Sequence, residues 1–299
     1  MARVIVAGLI NIETTVKIDG FPIEYTPVRY PFFGVRSTVS GVGLNISKAL
    51  TILGHEVDFL SIVGKDYARE MVRAELKHIG VCDKHVLSLL KETAQSAIFY
   101  DDSGKRMINT DLKDIQEANY PLAYLHLEDA DLAVLCNINY SRPMLQKAKE
   151  SAIPIATDVH TISNLDDDYN RDYMATADIL FMSDEALPSS PENWVHQIWE
   201  RYGTPIIGIG LGAKGALLAV KDSQSIEIIP ARALRPIKNT IGSGDALFSA
   251  FVHSYIESKD PYLAMQKAIL FAGYKIGDIG AAEGFMTAAQ LEKAYSKSV

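Results

Sequence analysis

The stretch Asn239-Thr240-Ile241-Gly242-Ser243-Gly244-Asp245 sets two glycines around a serine and then a carboxylate, directly ahead of the apolar run Ala246-Leu247-Phe248. Gly242, Ser243 and Gly244 leave backbone N–H groups uncovered, and a helix starting there adds the positive end of its dipole. That combination receives an anion. A carboxylate at Asp245 would repel the same anion, unless it faces a different reactant and takes a proton from it. A plain helix N-cap by Ser243 or Asp245 accounts for the same residues equally well.

A second glycine-rich stretch, Ser40-Gly41-Val42-Gly43-Leu44-Asn45, lies just ahead of a helical pattern. Gly41 and Gly43 let a ligand approach the backbone, and Asn45 offers a polyol both a donor and an acceptor. An ordinary loop with Asn near a helix start reads the same way. Asn11 and Glu13 follow the apolar run Val4–Ala7, either as site residues or as surface polar residues. Gly210-Leu211-Gly212-Ala213-Lys214-Gly215 contains G-x-G-x-x-G, on which an NAD-dependent oxidoreductase would rest. That fingerprint needs a following helix, whereas Ala216–Val220 reads as a strand, so a strand-to-strand turn is expected.

The elements that must position these residues are legible in the pattern. Val4–Ala7 is a continuous apolar run, as in a buried parallel strand. Residues 14–40 alternate with period 2 between Gly20, Pro22, Pro27, Pro31 and Gly34, which predicts short strands of an exposed small sheet. A hairpin is expected over 96–110 with its turn at Asp101–Gly104. Elsewhere strands alternate with helices, among them a helix stopped by Gly54, one ending on Gly80 and one opened by Ser190-Pro191. This alternation predicts an α/β fold with a mostly parallel central sheet covered by helices on both faces.

The chain of 299 residues is 48% hydrophobic and 22% charged, with a net charge of −8. The acidic balance argues against nucleic acid or an anionic membrane as partner. Any phosphate-bearing ligand must then be held by local donors and metal. The start, Met1–Glu13, turns polar too soon for a signal peptide, and no run approaches the ~18 apolar residues of a membrane span, so a cytoplasmic protein is expected. Cys82 and Cys136 sit in apolar surroundings and read as buried thiols of a reducing compartment. The 7 histidines have no metal-ligand spacing.

Taken together, the motifs resemble the phosphofructokinase-B (ribokinase-like) family of carbohydrate and nucleoside kinases, almost end to end. Thr240, Gly242, Gly244 and Asp245 match its C-terminal signature, Gly41, Gly43 and Asn45 its N-terminal one, and Leu211, Gly212 and Gly215 its nucleotide loop. The resemblance implies a three-layer ribokinase-like domain over residues 1–299, with a small β-sheet lid inserted at about 14–40 and supplemented by 96–110. It implies ATP-dependent phosphorylation of a hydroxyl on a small sugar, sugar acid or nucleoside. Asp245 would be the general base, and the amides of Gly242, Ser243 and Gly244 the anion hole. Asn11, Glu13, Gly41, Gly43 and Asn45 would bind substrate, and Gly210, Gly212, Lys214, Gly215 and Thr240 the nucleotide. Mg²⁺ is expected beside ATP, and a homodimer through the lid.

Three departures stand out. Asn239 replaces the first Asp of the signature, which puts in doubt the monovalent-cation site found in some relatives. The family's N-x-x-E segment falls near Ser183–Ala186 without matching, leaving Asp184 and Glu185 as candidates to organise Mg²⁺ through water, or to cap the following segment. Glu13 stands where sugar-binding members carry Asp. A non-catalytic ligand-binding or regulatory member of the same fold is the alternative reading.

Overall fold

Alternate residues of the first strand go to opposite cores, and the rest of the architecture follows from that division. In the computed structural model, which describes residues 1–298, Val4 and Val6 of β1 (Arg3–Ala7) pack into one hydrophobic cluster and Ile5 and Ala7 into another. A strand buried on both faces belongs to the interior of a helix-covered sheet.

The chain continues through β2 (Asn11–Lys17), β3 (Val35–Ser40), α1 (Val42–Ile52), β4 (Glu56–Gly64), α2 (Tyr67–Ile79), β5 (Val86–Leu90), β6 (Gln95–Tyr100), β7 (Arg106–Asp111) and β8 (Leu132–Leu135). It goes on through α3 (Arg142–Glu150), β9 (Ile155–Thr161), α4 (Arg171–Thr176), β10 (Ile179–Ser183), α5 (Pro191–Arg201), β11 (Ile206–Gly210), β12 (Ala216–Val220) and β13 (Ser225–Ile229). Three helices follow: α6 (Ser243–Ser258), α7 (Pro261–Lys275) and α8 (Ala288–Ser296).

Nine strands form the central sheet in the order β13-β12-β11-β10-β9-β8-β1-β4-β5, all running the same way except β12, which pairs antiparallel with both β11 and β13. Leu44 of α1, Val72 of α2, Phe248 and Phe251 of α6, Phe271 of α7 and Leu291 of α8 fill the cluster on one face. Met144 of α3, Tyr173 of α4 and Trp194 and Ile198 of α5 fill the other. Each such side chain contributes about 1.5–3 kcal/mol by leaving water. Among the described residues no helix is long and apolar enough to cross a membrane.

A second sheet of four strands, β3-β2-β6-β7, stands apart. β2 pairs antiparallel with β3 and parallel with β6, so residues 11–17 and 95–100 join across the whole of α1, β4 and α2. The hairpin β6–β7 turns at Gly104, whose N–H donates to the Asp101 carbonyl at 3.1 Å and whose φ is +84°. Residues 18–34 hold no strand, contrary to the expectation for 14–40, because their prolines cannot donate to a ladder. A further difference concerns Cys82. It is exposed, since Val81 takes the inward position after α2 and turns the next side chain out, whereas Cys136 is buried.

The two glycine stretches are bound to this packing. A Cβ on Gly43 would lie 2.4 Å from the Gly8 carbonyl carbon, so α1 starts in backbone contact with the end of β1. One on Gly242 would lie 2.1 Å from the Ala281 oxygen, and Gly242 also holds φ at +73°. Neither position accommodates another residue type.

Candidate active site

β2 leaves the central layer carrying a face that is buried and polar. Asn11, Glu13 and Thr15 alternate inward along it, which an ordinary strand would fill with apolar residues. Antiparallel pairing sets Asn11 opposite Ser40, and parallel pairing sets Glu13 opposite Ser96. Ser40 Oγ lies 3.1 Å from Glu13 Oε2 and 3.4 Å from Asn45 Oδ1, so its one proton serves either acceptor. Asn11 Nδ2 donates to Ser96 Oγ at 2.7 Å, and Ser96 Oγ lies 3.2 Å from Thr110 Oγ1 of β7. Asn45, in the first turn of α1, donates from Nδ2 to Asp245 Oδ2 at 2.7 Å.

Two hydroxyls that sequence reasoning did not single out hold these residues: Ser40 links Glu13 to Asn45 and so to Asp245, and Ser96 holds Asn11 on the neighbouring strand. Asn11 Oδ1 and Glu13 Oε1 are buried and accept from no group among the described residues. Unsatisfied buried acceptors are costly, and a ligand rich in hydroxyl or N–H donors would satisfy them. Burial pushes the Glu13 carboxyl up, against the donation from Ser40, with the Asp245 charge adding to the rise and the Lys275 charge opposing it.

Asp245 is raised to about 6 by burial, while the Asn45 donation and the charges of His160 and Lys275 hold it down and Asp158 pushes it up. A carboxylate that gains basicity while still ionised near neutrality suits proton removal from an alcohol. Gly242 is the N-cap of α6, and its carbonyl accepts from Ala246 at 3.0 Å. The Ser243 N–H is turned back to the Thr240 carbonyl at 3.2 Å, closing a turn. Among the described residues, the N–H groups of Gly242, Gly244 and Asp245 have no acceptor, so the open donors differ by one residue from those the motif suggested. Gly244 is exposed and a Cβ there would meet nothing within 4 Å, so the helix start is open to solvent at this residue.

The Gly210–Gly215 stretch is the expected strand-to-strand turn. β11 and β12 pair antiparallel, with a 3-10 turn at Gly212–Lys214, and the Leu211 N–H donates to the Gly215 carbonyl at 2.8 Å. No helix follows, so the dinucleotide fingerprint lacks its second half. Gly212 and Lys214 are exposed at the turn, whereas Gly215 is fixed by packing, since its Cβ would fall 2.0 Å from the Ile229 oxygen. Thr240 Oγ1 accepts from Arg106 Nη1 of β7 at 3.1 Å, a link between the small sheet and the loop ahead of α6.

Asp184 and Glu185 form a 3-10 turn directly after β10, with the Glu185 N–H capped by Ser183 Oγ at 3.3 Å. Ser183 pairs with Gly210 in register, so both carboxylates lie at the strand end beside the turn of β11. Among the described residues no three His, Cys, Asp or Glu side chains gather into a metal cage.

Residues missed from sequence include Arg106, His160 and Lys275. Lys275 carried a signal, being the only charge in the apolar run from Ala268 to Ile276.

A model of the pfkB family of carbohydrate kinases matches residues 1–288. The chain is 24% identical to an ATP-dependent ribose-1-phosphate kinase of Halopiger xanaduensis over 295 residues, covering 94% of each chain. It is 23% identical over 248 residues to a fructosamine kinase of Bacillus subtilis, covering 81% of this chain and 84% of the relative. Among solved structures, a microbiome-derived acarbose kinase superposes with a TM-score of 0.88 at 18% identity, covering 99% of both chains. A Burkholderia thailandensis nucleoside kinase in complex with inosine gives a TM-score of 0.81 at 18% identity, covering 99% of this chain and 98% of that one.

Proposed function

The chain belongs to the pfkB family of carbohydrate kinases, and from that premise we propose that it transfers the terminal phosphoryl group of ATP to a hydroxyl of a small sugar, sugar acid or nucleoside. The observation that carries this reading is Asp245 at the N-terminus of α6. Its basicity is raised by burial, and it is held by Asn45 beside amides that have no other acceptor.

The acceptor lies between β2 and α6. Asn11 and Glu13 take its donor groups on their unsatisfied oxygens, while Gly41 and Gly43 seat the start of α1 against the backbone of Leu9 and Gly8. Asn45 orients Asp245 toward the hydroxyl that reacts. Asp245 removes the proton as the oxygen attacks phosphorus, and the amides at the start of α6 take up charge on the phosphoryl oxygens. Phosphoryl transfer asks for positioning and charge stabilisation more than for covalent help, and a helix N-terminus supplies both. Gly210, Gly212, Lys214 and Gly215 with Thr240 form the nucleotide side. Mg²⁺ keeps most of its water when bound beside nucleotide phosphates, and the two carboxylates after β10, which no other side chain engages among the described residues, suit that mode. Asp184 and Glu185 would hold the ion through its water, where it offsets the charge of the phosphates.

The four-stranded sheet is the lid of this site. It supplies Asn11, Glu13, Ser40 and Ser96, and closure over the acceptor keeps water from the phosphoryl group. A panel of sugars, sugar acids and nucleosides, assayed for ADP release with ATP and Mg²⁺, tests the reading. Release with at least one acceptor, abolished in Asp245→Asn, is expected. Specific binding of an acceptor with no turnover under any condition would return the chain to the ligand-binding alternative.

A further inference from the structure

Lys275, at the C-terminal end of α7, is fully buried, and among the described residues its ammonium pairs with no carboxylate. It donates to two backbone carbonyls, those of Ile241 and Gly280, the latter at 2.5 Å. These belong to two loops in direct backbone contact, since a Cβ on Gly242 would meet the Ala281 oxygen at 2.1 Å. The cation therefore bridges the loop ahead of α6 and the loop after α7 where they touch. Burial lowers Lys275 to about 8, and the charges of Asp245, Glu13, Asp278 and Glu283 keep it from falling further. The last turn of a helix also favours a cation.

What the bridge does follows from peptide geometry. In a trans peptide the C=O and N–H point in opposite directions. Holding the Ile241 oxygen on the ammonium turns the Gly242 N–H away from it, and that N–H has no acceptor among the described residues. A cation on the carbonyl also polarises the peptide, strengthening the same N–H as a donor.

The loops do not suit an external monovalent cation. The ammonium already takes the Ile241 and Gly280 oxygens, and the neutral Asn239 spends its Oδ1 on the Ile241 N–H at 3.2 Å. We propose that Lys275 is a tethered monovalent cation, a positioning residue that aims the Gly242 amide at the transferred phosphoryl group and frees the enzyme from any need for potassium. The catalytic half of this proposal rests on the kinase reading above.

The test compares melting temperature and turnover in matched potassium, sodium and tetramethylammonium chloride, for the wild type and for Lys275→Ala and Lys275→Met. The wild type should melt and turn over alike in all three salts. Lys275→Ala should melt lower, regain stability in potassium but not in sodium, and lose about 10- to 100-fold in kcat with little change in KM. Potassium or methylammonium should restore part of that kcat. Lys275→Met keeps the stem, fills the cavity and should lose kcat without any potassium response, which covers the case where Lys275→Ala does not fold. Selective activation or stabilisation of the wild type by potassium would overturn the proposal. So would wild-type kcat in Lys275→Met, or a folded Lys275→Ala that no cation rescues in either readout. If the melting pattern holds but no salt gives phosphoryl transfer, the kinase reading fails while the tethered cation stands.

Discussion

The side-chain amide of Asn45 donates to the carboxylate of Asp245 across 200 residues of sequence, at 2.7 Å. The start of α1 and the start of α6, each preceded by a glycine that tolerates no side chain, are thus tied at the atoms that would meet the reacting hydroxyl. Asn45 also stabilises the ionised form of Asp245, against burial that favours the neutral one.

Replacing Asp245 by Asn should lower kcat by about 10²–10⁴-fold and leave nucleotide affinity unchanged, because only the proton acceptor is lost. Single-turnover rates alongside a binding titration with an ATP analogue check both halves. Near-normal turnover in a folded variant would remove Asp245 from the mechanism.

The pH profile of kcat/KM should be bell-shaped. Asp245 must be ionised, so activity falls as pH drops through about 6, where its proton returns. Lys275 must be protonated, so activity falls again as pH rises through about 8. In Asn45→Ala the donation that lowers Asp245 is gone, and the acid limb should move to higher pH. An acid limb that stays fixed in this variant would disconnect it from Asp245.

Glu13→Ala should raise KM for the acceptor while nucleotide affinity holds. A lost hydrogen bond to a charged or buried group costs about 1–3 kcal/mol, or about 5- to 150-fold. Loss of nucleotide affinity instead, with acceptor affinity intact, would exchange the two sides of the cleft.

Residues 11–17, 35–40, 95–100 and 106–111 should gain protection from hydrogen exchange when acceptor and an ATP analogue bind together. Added protection near Asp245 without any in these strands would remove the lid. The exposed Tyr25, Tyr30, Phe32 and Phe33, in the loop between β2 and β3, present more apolar surface than a free loop ordinarily leaves in water. A second copy of the chain would cover it. Light scattering should give a dimer mass, reduced to the monomer by Phe32→Glu with Phe33→Glu. A monomer at working concentration in the wild type disposes of that pairing.

The central sheet was legible because local patterns specify it: a short apolar run bounded by glycine, as in Val4–Ala7, leaves little choice of place. The second sheet was only half legible. Its hairpin carries a turn signature, but the parallel pairing of β2 with β6 depends on contacts 83 positions apart, from Ile12 to Gln95, which no local period encodes. Within the site, glycines and Asp245 stood out because their residue types are unusual at a helix start. Ser40 and Ser96 did not, since serine is common anywhere and only the register of three strands brings them to Glu13 and Asn11. Cys82 misled for a related reason, since apolar neighbours do not reveal which side of the chain faces inward.

Ile98 of β6 packs with Ile241 and Ala281 in a buried three-residue cluster of its own. Ile241 is the residue whose carbonyl Lys275 holds and whose peptide carries the Gly242 N–H, so the small sheet touches the peptide that, on the proposed reading, would receive the phosphoryl group. If the sheet closes over an acceptor as proposed, it would press on that peptide, and opening would release it. Readiness to receive the phosphoryl group would then depend on the acceptor being in place, a conditional arming written in three aliphatic side chains. It would spare nucleotide from idle hydrolysis.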